Sequence, residues 1–164
     1  MKTKTNVVAV FATALFAHAA HAQTTLIVLQ APFLGCTTNA ISWSVGGDNP
    51  GAVASVAPTA GRPMLAPVTL LKGFDECSAA LFKTFATGIV LGPVTITDHD
   101  KKNNLTLTIQ LQNARISKYL LGDADGNSGP AESIALTYER ITISNPRNGS
   151  FCFDTLGGRA CSPQ

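Results

Sequence analysis

The chain has 164 residues, with 12 basic and 10 acidic side chains and a formal net charge of +2. This near balance provides no strongly basic surface of the kind that binds nucleic acid or an anionic membrane. The length suits one ordinary domain built around a single hydrophobic core.

The first 22 residues have the pattern of a secretory signal peptide. Lys2 and Lys4 precede an apolar run over residues 7–17, and the Ala-His-Ala at residues 20–22 places small side chains where a signal peptidase reads them. The apolar run is too short to span a bilayer and no second one follows, so we expect export to the periplasm or the cell exterior without membrane insertion. Removing 22 of 164 residues leaves 142, with ten basic and ten acidic side chains.

All four cysteines lie in the mature part, and an even number in an exported chain is typical of two disulfides. Three pairings are possible. We favour Cys152 with Cys161, because both lie in one short Gly-rich tail, which leaves Cys36 with Cys77. The closely spaced cysteine pairs typical of zinc sites are absent from the sequence.

Before the centre of the chain lies a strand followed by a segment of low complexity. Trp43, between two serines, is expected on an early strand, where a single tryptophan is more often core than a ligand-stacking surface. Residues 46–67 are rich in Gly, Pro, Ala and Ser, which is typical of a long surface connection.

One amphipathic helix of about three turns is predicted after residue 77. Ser78 is placed to cap its first turn, and the acidic Asp75 and Glu76 lie near its N-terminus. Gly88 suits the left-handed conformation that closes the last turn. Apolar residues at spacings of three and four predict its buried stripe: Leu81, Phe82 and Phe85.

After the helix, apolar and polar residues alternate with a period of two, which predicts strands with one buried face. Residues 93–97 and 105–112 are expected to pair antiparallel across the polar linker 98–104. Two further strands are predicted over residues 113–121 and 132–143, separated by a segment dense in turn formers. A bulge near residue 139 would restore the alternation in the last strand.

Five stretches in this order carry a resemblance to a known family: SWSVG at 42–46, CSAALFK at 77–83, VTI at 94–96, YLL at 119–121 and ESIALTYERI at 132–141. Together, over about residues 26–143, they resemble the Hcp family, the tube subunits of the bacterial type VI secretion system. The resemblance implies a mainly β fold, a small antiparallel β-barrel or double sheet with one short α-helix. It further implies a hexameric ring, stacking into a hollow tube that carries effectors, and an excursion over residues 46–67 that reaches a neighbouring subunit or ring.

Three parts are therefore predicted: a signal peptide over residues 1–22, an Hcp-like domain over 23–144 and a cysteine-containing tail over 145–164. The signal peptide and the tail depart from the usual pattern of the family. Export would separate the subunit from a tube that polymerises in the cytoplasm.

Two functions remain open. The first is a self-assembling structural subunit that forms rings and tubes, and the second is a secreted, disulfide-stabilised binding or effector module without tube formation. The expected partners are copies of the chain itself, with secretion-apparatus or effector proteins.

The sequence gives little support for catalysis or for a cofactor. After signal cleavage His99 is the single histidine, and it is expected at a solvated hairpin tip. Motifs for nucleotide binding, serine hydrolysis and zinc proteolysis are absent, so no enzyme activity is expected. Asp123, Asp125 and Asn127 are weak calcium candidates, because the glycine and the final glutamate of a calcium-binding EF-hand loop are not at their required positions. A turn between strands is the preferred interpretation.

Overall fold

In a computed structural model of the protein, residues 26–49, 62–123 and 129–163 are described. The predicted signal peptide lies outside these ranges. One α-helix, α1, covers Ser78–Thr87 in the described part. The strands are β1 Leu26–Ala31, β2 Cys36–Ala40, β3 Ser42–Ser44, β4 Gly47–Asp48, β5 Met64–Leu65, β6 Val68–Gly73, β7 Gly92–His99, β8 Leu105–Asp123, β9 Pro130–Thr137, β10 Arg140–Asn145, β11 Gly149–Asp154 and β12 Arg159–Cys161.

The strands form two principal antiparallel sheets. The larger sheet has the order β12-β11-β10-β8-β7-β1-β2, and the smaller sheet has the order β3-β6-β9-β8. Strand β8 belongs to both, because its first half pairs with β7 and β10 and its second half pairs with β9. The predicted double sheet with one short α-helix is therefore confirmed, as is the antiparallel pairing of residues 93–97 with 105–112.

Two strand predictions need correction at the places where the chain passes between the sheets. Residues 105–112 and 113–121 form one strand, which bends at Asn113, where φ is +53°. Asparagine tolerates this left-handed conformation better than most residues. Residues 132–143, predicted as one strand with a bulge, are split at Tyr138 and Glu139, so that β9 pairs in the smaller sheet and β10 in the larger one.

The inward faces of both sheets share one hydrophobic core. Cross-strand rows such as Leu29, Ile96 and Ile109 come from β1, β7 and β8, and their side chains are buried. The smaller sheet contributes Leu70 from β6 and Ile134 from β9, which pair directly and are fully buried. Burial of such side chains is worth about 1.5–3 kcal/mol each relative to exposure, so this core is the main source of stability.

Helix α1 is confirmed, but its start and its buried face differ from the prediction. Gly88 closes it in the left-handed conformation, with φ +66°. Ser78 is the first helical residue rather than the cap, and its hydroxyl accepts the backbone N–H of Asp75 at 2.8 Å. The buried residues of the helix are Ser78, Leu81 and Thr84, whereas Phe82 is 54% exposed. The hydroxyl of Thr84 bonds to a helix carbonyl, which satisfies it inside the core.

The predicted tail, residues 145–164, adds two strands to the larger sheet. Strand β11 pairs with β10, and β12 pairs with β11. Phe153 of β11 is buried in the common core. The tail is therefore an integral part of the domain rather than an appended loop.

Candidate functional site

The described ends of the predicted excursion over residues 46–67 pair as a short stem, formed by β4 and β5. Gly47 pairs with Leu65 and Asp48 with Met64, and the two strands form a sheet of their own. The stem is closed by the backbone N–H of Ala66, which donates to the carbonyl of Gly46 at 2.8 Å. A side chain at Gly47 would place Cβ only 2.7 Å from the carbonyl oxygen of Met64, so this pairing requires glycine.

Large apolar side chains are exposed around the smaller sheet. Leu71 of β6 and Leu120 of β8 flank Ser133 of β9 in one cross-strand row, and they are 39% and 54% exposed. We call the face that carries this row the outer face of the smaller sheet. Its neighbouring row holds Thr69, Ala135 and Lys118. The two rows thus present small and apolar side chains with a single charge, a composition typical of a protein contact surface.

Beneath this sheet lies a cluster of buried charges that the sequence analysis missed. Lys72 and Glu132 are cross-strand partners in β6 and β9, and their side chains are 1% and 0% exposed. The Lys72 ammonium donates to Glu132 Oε2 at 2.6 Å and to Asp75 Oδ1 at 2.9 Å. Tyr119 donates its hydroxyl proton to the other carboxylate oxygen of Glu132, and Thr38 donates to Asp75.

A signal for this cluster was present in the sequence. Lys72 shares its parity in β6 with Val68 and Leu70, and Glu132 shares its parity in β9 with Ile134 and Leu136. Because alternate residues of a strand point to the same face, both charged side chains had to face the core. A buried lysine requires an oppositely charged partner, and Lys72 and Glu132 are each other's partner.

Burial and hydrogen bonding in the cluster shift the pKa of two of its members. Desolvation opposes ionisation of Asp75, but hydrogen bonds from Thr38, from Lys72 and from a backbone N–H outweigh it and hold the pKa of Asp75 below its ordinary value. Burial, followed by the hydrogen bond to Glu132 and the charge on that carboxylate, raises the pKa of Tyr119 well above its ordinary value. The cluster therefore favours a charged Asp75 and a neutral Tyr119 near neutral pH.

The polar groups of this cluster are engaged with one another. The side-chain nitrogen of Lys72 is within hydrogen-bond distance of four acceptors, which engage it in structural contacts. Among the described residues, no buried side-chain nitrogen or oxygen lacks a hydrogen-bond partner. A shallow depression of about 720 Å³ lies nearby, and the lone titratable side chain in its described lining is Glu76. A general acid and base pair needs a second group there.

The structure places the cysteines in the two pairs that the sequence analysis favoured. Cys36 and Cys77 are at bonding distance with 6.0 Å between their Cα atoms, and Cys152 and Cys161 with 5.0 Å. The first pair joins the start of β2 to the residue before α1, next to the buried charges. The second pair joins β11 to β12, where the two cysteines are cross-strand partners.

The remaining residues singled out from the sequence do not converge on one site. Asp125 and Asn127, two of the weak calcium candidates, lie outside the described residues, and Asp123 ends β8. In the described ranges, no cluster of three His, Cys, Asp or Glu side chains is arranged to hold a metal ion. His99 ends β7 beside the hairpin tip. Trp43 is half-buried, packs against the core and donates its indole N–H to Asp98 at 3.2 Å.

Helices of sufficient length and hydrophobicity to cross a bilayer are absent from residues 26–49, 62–123 and 129–163.

Comparison with known proteins identifies the family. A family model described as "Type VI secretion system effector, Hcp" matches residues 37–144. Three solved structures share the fold. Hcp1 from Salmonella typhimurium has a TM-score of 0.69 and 13% identity, covering 84% of this chain and 99% of its own. Hcp1 from Flavobacterium johnsoniae has a TM-score of 0.61 and 15% identity, and the match covers 79% of this chain and 98% of that protein. A secreted protein, Hcp3 from Pseudomonas aeruginosa, has a TM-score of 0.59 and 16% identity, and the match covers 79% of this chain and 98% of that protein.

No curated protein sequence matches the chain significantly. At these identities the solved structures show the fold, while the family model shows membership, because it matches well over half of the chain. The chain belongs to the Hcp family of type VI secretion proteins.

Proposed function

We propose that this protein is an exported structural subunit that assembles into hexameric rings, which stack into tubes or filaments. The observation that carries the proposal is the Hcp fold with a separate hairpin stem and an exposed apolar face. The ring is the assembly that the family resemblance implies. No catalytic role is proposed, because the buried charged groups are engaged in structural contacts.

The outer face of the smaller sheet is the proposed contact surface between subunits. Leu71 and Leu120 lie in one row on it, beside the small side chains of Ser133, Thr69 and Ala135 and the longer Lys118. Such a face allows close approach of a second backbone, and burial of its apolar area supplies about 25 cal/mol per Å². A heterologous contact of this kind, repeated around an axis, closes a ring.

Exposed strand edges support the same proposal. Among the described residues, strand β3 has one partner in the smaller sheet, and β2 and β12 terminate the larger sheet. Unpaired edges invite uncontrolled pairing with other chains. Closing a ring covers such edges, which gives the isolated subunit a physical reason to assemble.

We also propose that assembly takes place outside the cytoplasm. The predicted signal peptide and the two cysteine pairs support an oxidising compartment, the periplasm or the cell exterior. The proposed rings therefore form apart from the cytoplasmic secretion machine. Secretion-apparatus or effector proteins remain candidate partners beyond the ring.

The second candidate is a secreted binding or effector module with the same fold and no tube. The two cysteine pairs favour it, because they allow a single subunit to be stable on its own. This candidate predicts a monomer or a small oligomer at every concentration.

Sedimentation velocity of the cleaved and oxidised protein separates the two candidates. We expect the wild type to sediment as a hexamer, and Leu71→Lys with Leu120→Lys to shift it to the monomer. Phe33→Lys is the matched control, because Phe33 is 61% exposed and lies in the connection between β1 and β2. A monomeric wild type would remove the ring proposal and leave the secreted module.

A further inference from the structure

The C-terminal hairpin and the base of the excursion stem meet in the folded chain. Gly158, in the turn between β11 and β12, has φ +62°, and a Cβ there would lie 3.0 Å from Cδ of Arg62 and 3.5 Å from its Cγ. The aliphatic part of Arg62 therefore rests directly on the glycine backbone. A side chain at residue 158 would displace the Arg62 side chain from this position, and the positive φ itself favours glycine.

A second contact between the same two parts runs through Tyr138. Its hydroxyl donates to the carbonyl of Ala66, the residue that closes the stem, at 3.0 Å. The hydroxyl of Thr155, in the C-terminal turn, donates to the backbone carbonyl of Tyr138 at 2.9 Å. Tyr138 is half-buried at this junction. The stem is thus tied to the corner between β9 and β10, and that corner is tied to the tail.

Between the two contacts lies a depression of about 480 Å³. One wall carries stem residues that include Met64 and Leu65, and the other carries Phe153 and Thr155 of the C-terminal hairpin. Phe153 is buried in the core, so this wall is anchored in the domain. The depression is a shared boundary of the stem and the tail rather than a site closed on all sides.

The C-terminal turn is itself held rigidly. The carboxylate of Asp154 accepts the backbone N–H of Gly157 at 2.9 Å, and the N–H of Thr155 donates to Glu139 at 2.9 Å. The pair Cys152 and Cys161 clips the strands on either side of the turn. A rigid turn can fix the position of the stem residues that pack against it.

We propose that the C-terminal hairpin is the docking surface of the excursion stem and fixes the orientation of β4 and β5 relative to the rest of the domain. The occupant of this surface is residues 62–66 of the same chain. The contact itself does not depend on oligomer formation. Its consequence, a stem aimed correctly for subunit contact, rests on the proposed ring.

Hydrogen exchange at the Ala66 amide in the oxidised full chain tests the docking. Tyr138→Phe removes the hydrogen bond to the carbonyl of Ala66. The Ala66 amide donates to Gly46 across the stem, and we expect its exchange to accelerate roughly fivefold when the stem loses the stabilisation of one ordinary hydrogen bond. Gly158→Asn puts a side chain under Arg62 and should have a comparable effect. Gly149→Asn is the matched control, because Gly149 also has a positive φ, +84°, but has open space around it. Asparagine keeps the backbone strain small at both positions.

Removal of the C-terminal cysteine pair gives an independent test. Cys152→Ser with Cys161→Ser should accelerate exchange at Ala66, whereas Cys36→Ser with Cys77→Ser should not. If Gly158→Asn fails to fold, Arg62→Ala removes the same contact without backbone strain. Unchanged exchange at Ala66 in Tyr138→Phe and in the variant at Gly158 or Arg62 would overturn the docking. A loosened stem in a protein that never forms rings would instead contradict the proposed function and leave the docking intact.

Discussion

The buried pair of Lys72 and Glu132 gives a stability prediction with a large expected effect. Lys72→Met keeps a long side chain but removes the ammonium, which leaves the fully buried carboxylate of Glu132 with the hydroxyl of Tyr119. Removing one partner of a buried ion pair costs about 3–5 kcal/mol, because the remaining charge is uncompensated. This is a large part of the roughly 5–15 kcal/mol that stabilises a typical domain.

The double variant Lys72→Met with Glu132→Leu separates charge from packing. A buried ion pair replaced by apolar side chains of similar volume is often near neutral in stability, so we expect recovery to within about 1–2 kcal/mol of the wild type. Asp75 keeps its bonds to Thr38 and to a backbone N–H in both variants. The exposed Lys101→Met, at the β7–β8 hairpin tip, is the control and should change stability by less than about 0.5 kcal/mol.

Urea unfolding of the oxidised protein, followed by circular dichroism, measures these differences. Thermal melting should show a loss of roughly 10 °C for Lys72→Met, at about 2–4 °C per kcal/mol for a chain near this size. If Lys72→Met lies within about 1 kcal/mol of the wild type, or the double variant is less stable than the single, the pair is not the buried structural contact described above.

Three further predictions concern acid, alkali and reduction. The pKa of Asp75 is lower in the folded protein than its unfolded value of about 3.9, so the ionised carboxylate contributes stability above that pH. This stability is lost as the pH falls through the folded pKa. Asp75→Asn should therefore reduce the loss of stability below about pH 4 in acid unfolding curves. In Tyr138→Phe, Tyr119 is the remaining tyrosine, and ultraviolet titration should detect no tyrosinate at about pH 11 while the protein is folded. Ionisation of Tyr119 at about pH 10 would contradict the buried, hydrogen-bonded hydroxyl. Serine replacement of the bridge between residues 36 and 77, whose ends are separated by 41 positions in the sequence, should cost about 4 kcal/mol. Replacement of the bridge between residues 152 and 161, whose ends are separated by 9 positions, should cost about 2.5 kcal/mol. If this replacement costs more than that of the first bridge in urea unfolding, the loop-entropy reasoning is refuted.

Local periodicity predicted much of the fold. The alternation in residues 93–97 and 105–112 was sufficient to place β7 beside β8, because period two fixes which side chains are buried and a polar linker joins the strands. Gly88 likewise predicted the end of α1 correctly, since its left-handed conformation is a local property.

The errors lie where tertiary context overrides local pattern. The alternation breaks at Asn113 because β8 bends from one sheet into the other, and such a break looks like a strand end in the sequence. Phe82 fits the apolar stripe of the helix, but packing against β8 decides which face of the helix is buried. Phe82 therefore lies at the edge of the core, largely exposed and in contact with the ring of Tyr119.

The candidate site was predictable in part. Composition indicated a long connection over residues 46–67, and its described ends, β4 and β5, pair as a short stem. The outer face of the smaller sheet depends on the lateral order of β6, β9 and β8, which no local pattern encodes. Lys72 and Glu132 could have been found by strand parity, but a charged residue on an apolar strand is easily assigned to a strand end.

The measurement that tests the central claim most directly is the mass and shape of the cleaved, oxidised protein, by light scattering together with negative-stain electron microscopy. The proposed function predicts six-fold rings, with stacked tubes or filaments at higher concentration. A strict monomer of the mature mass at high protein concentration would contradict it, and would identify the chain as a secreted module that uses the Hcp fold without its assembly.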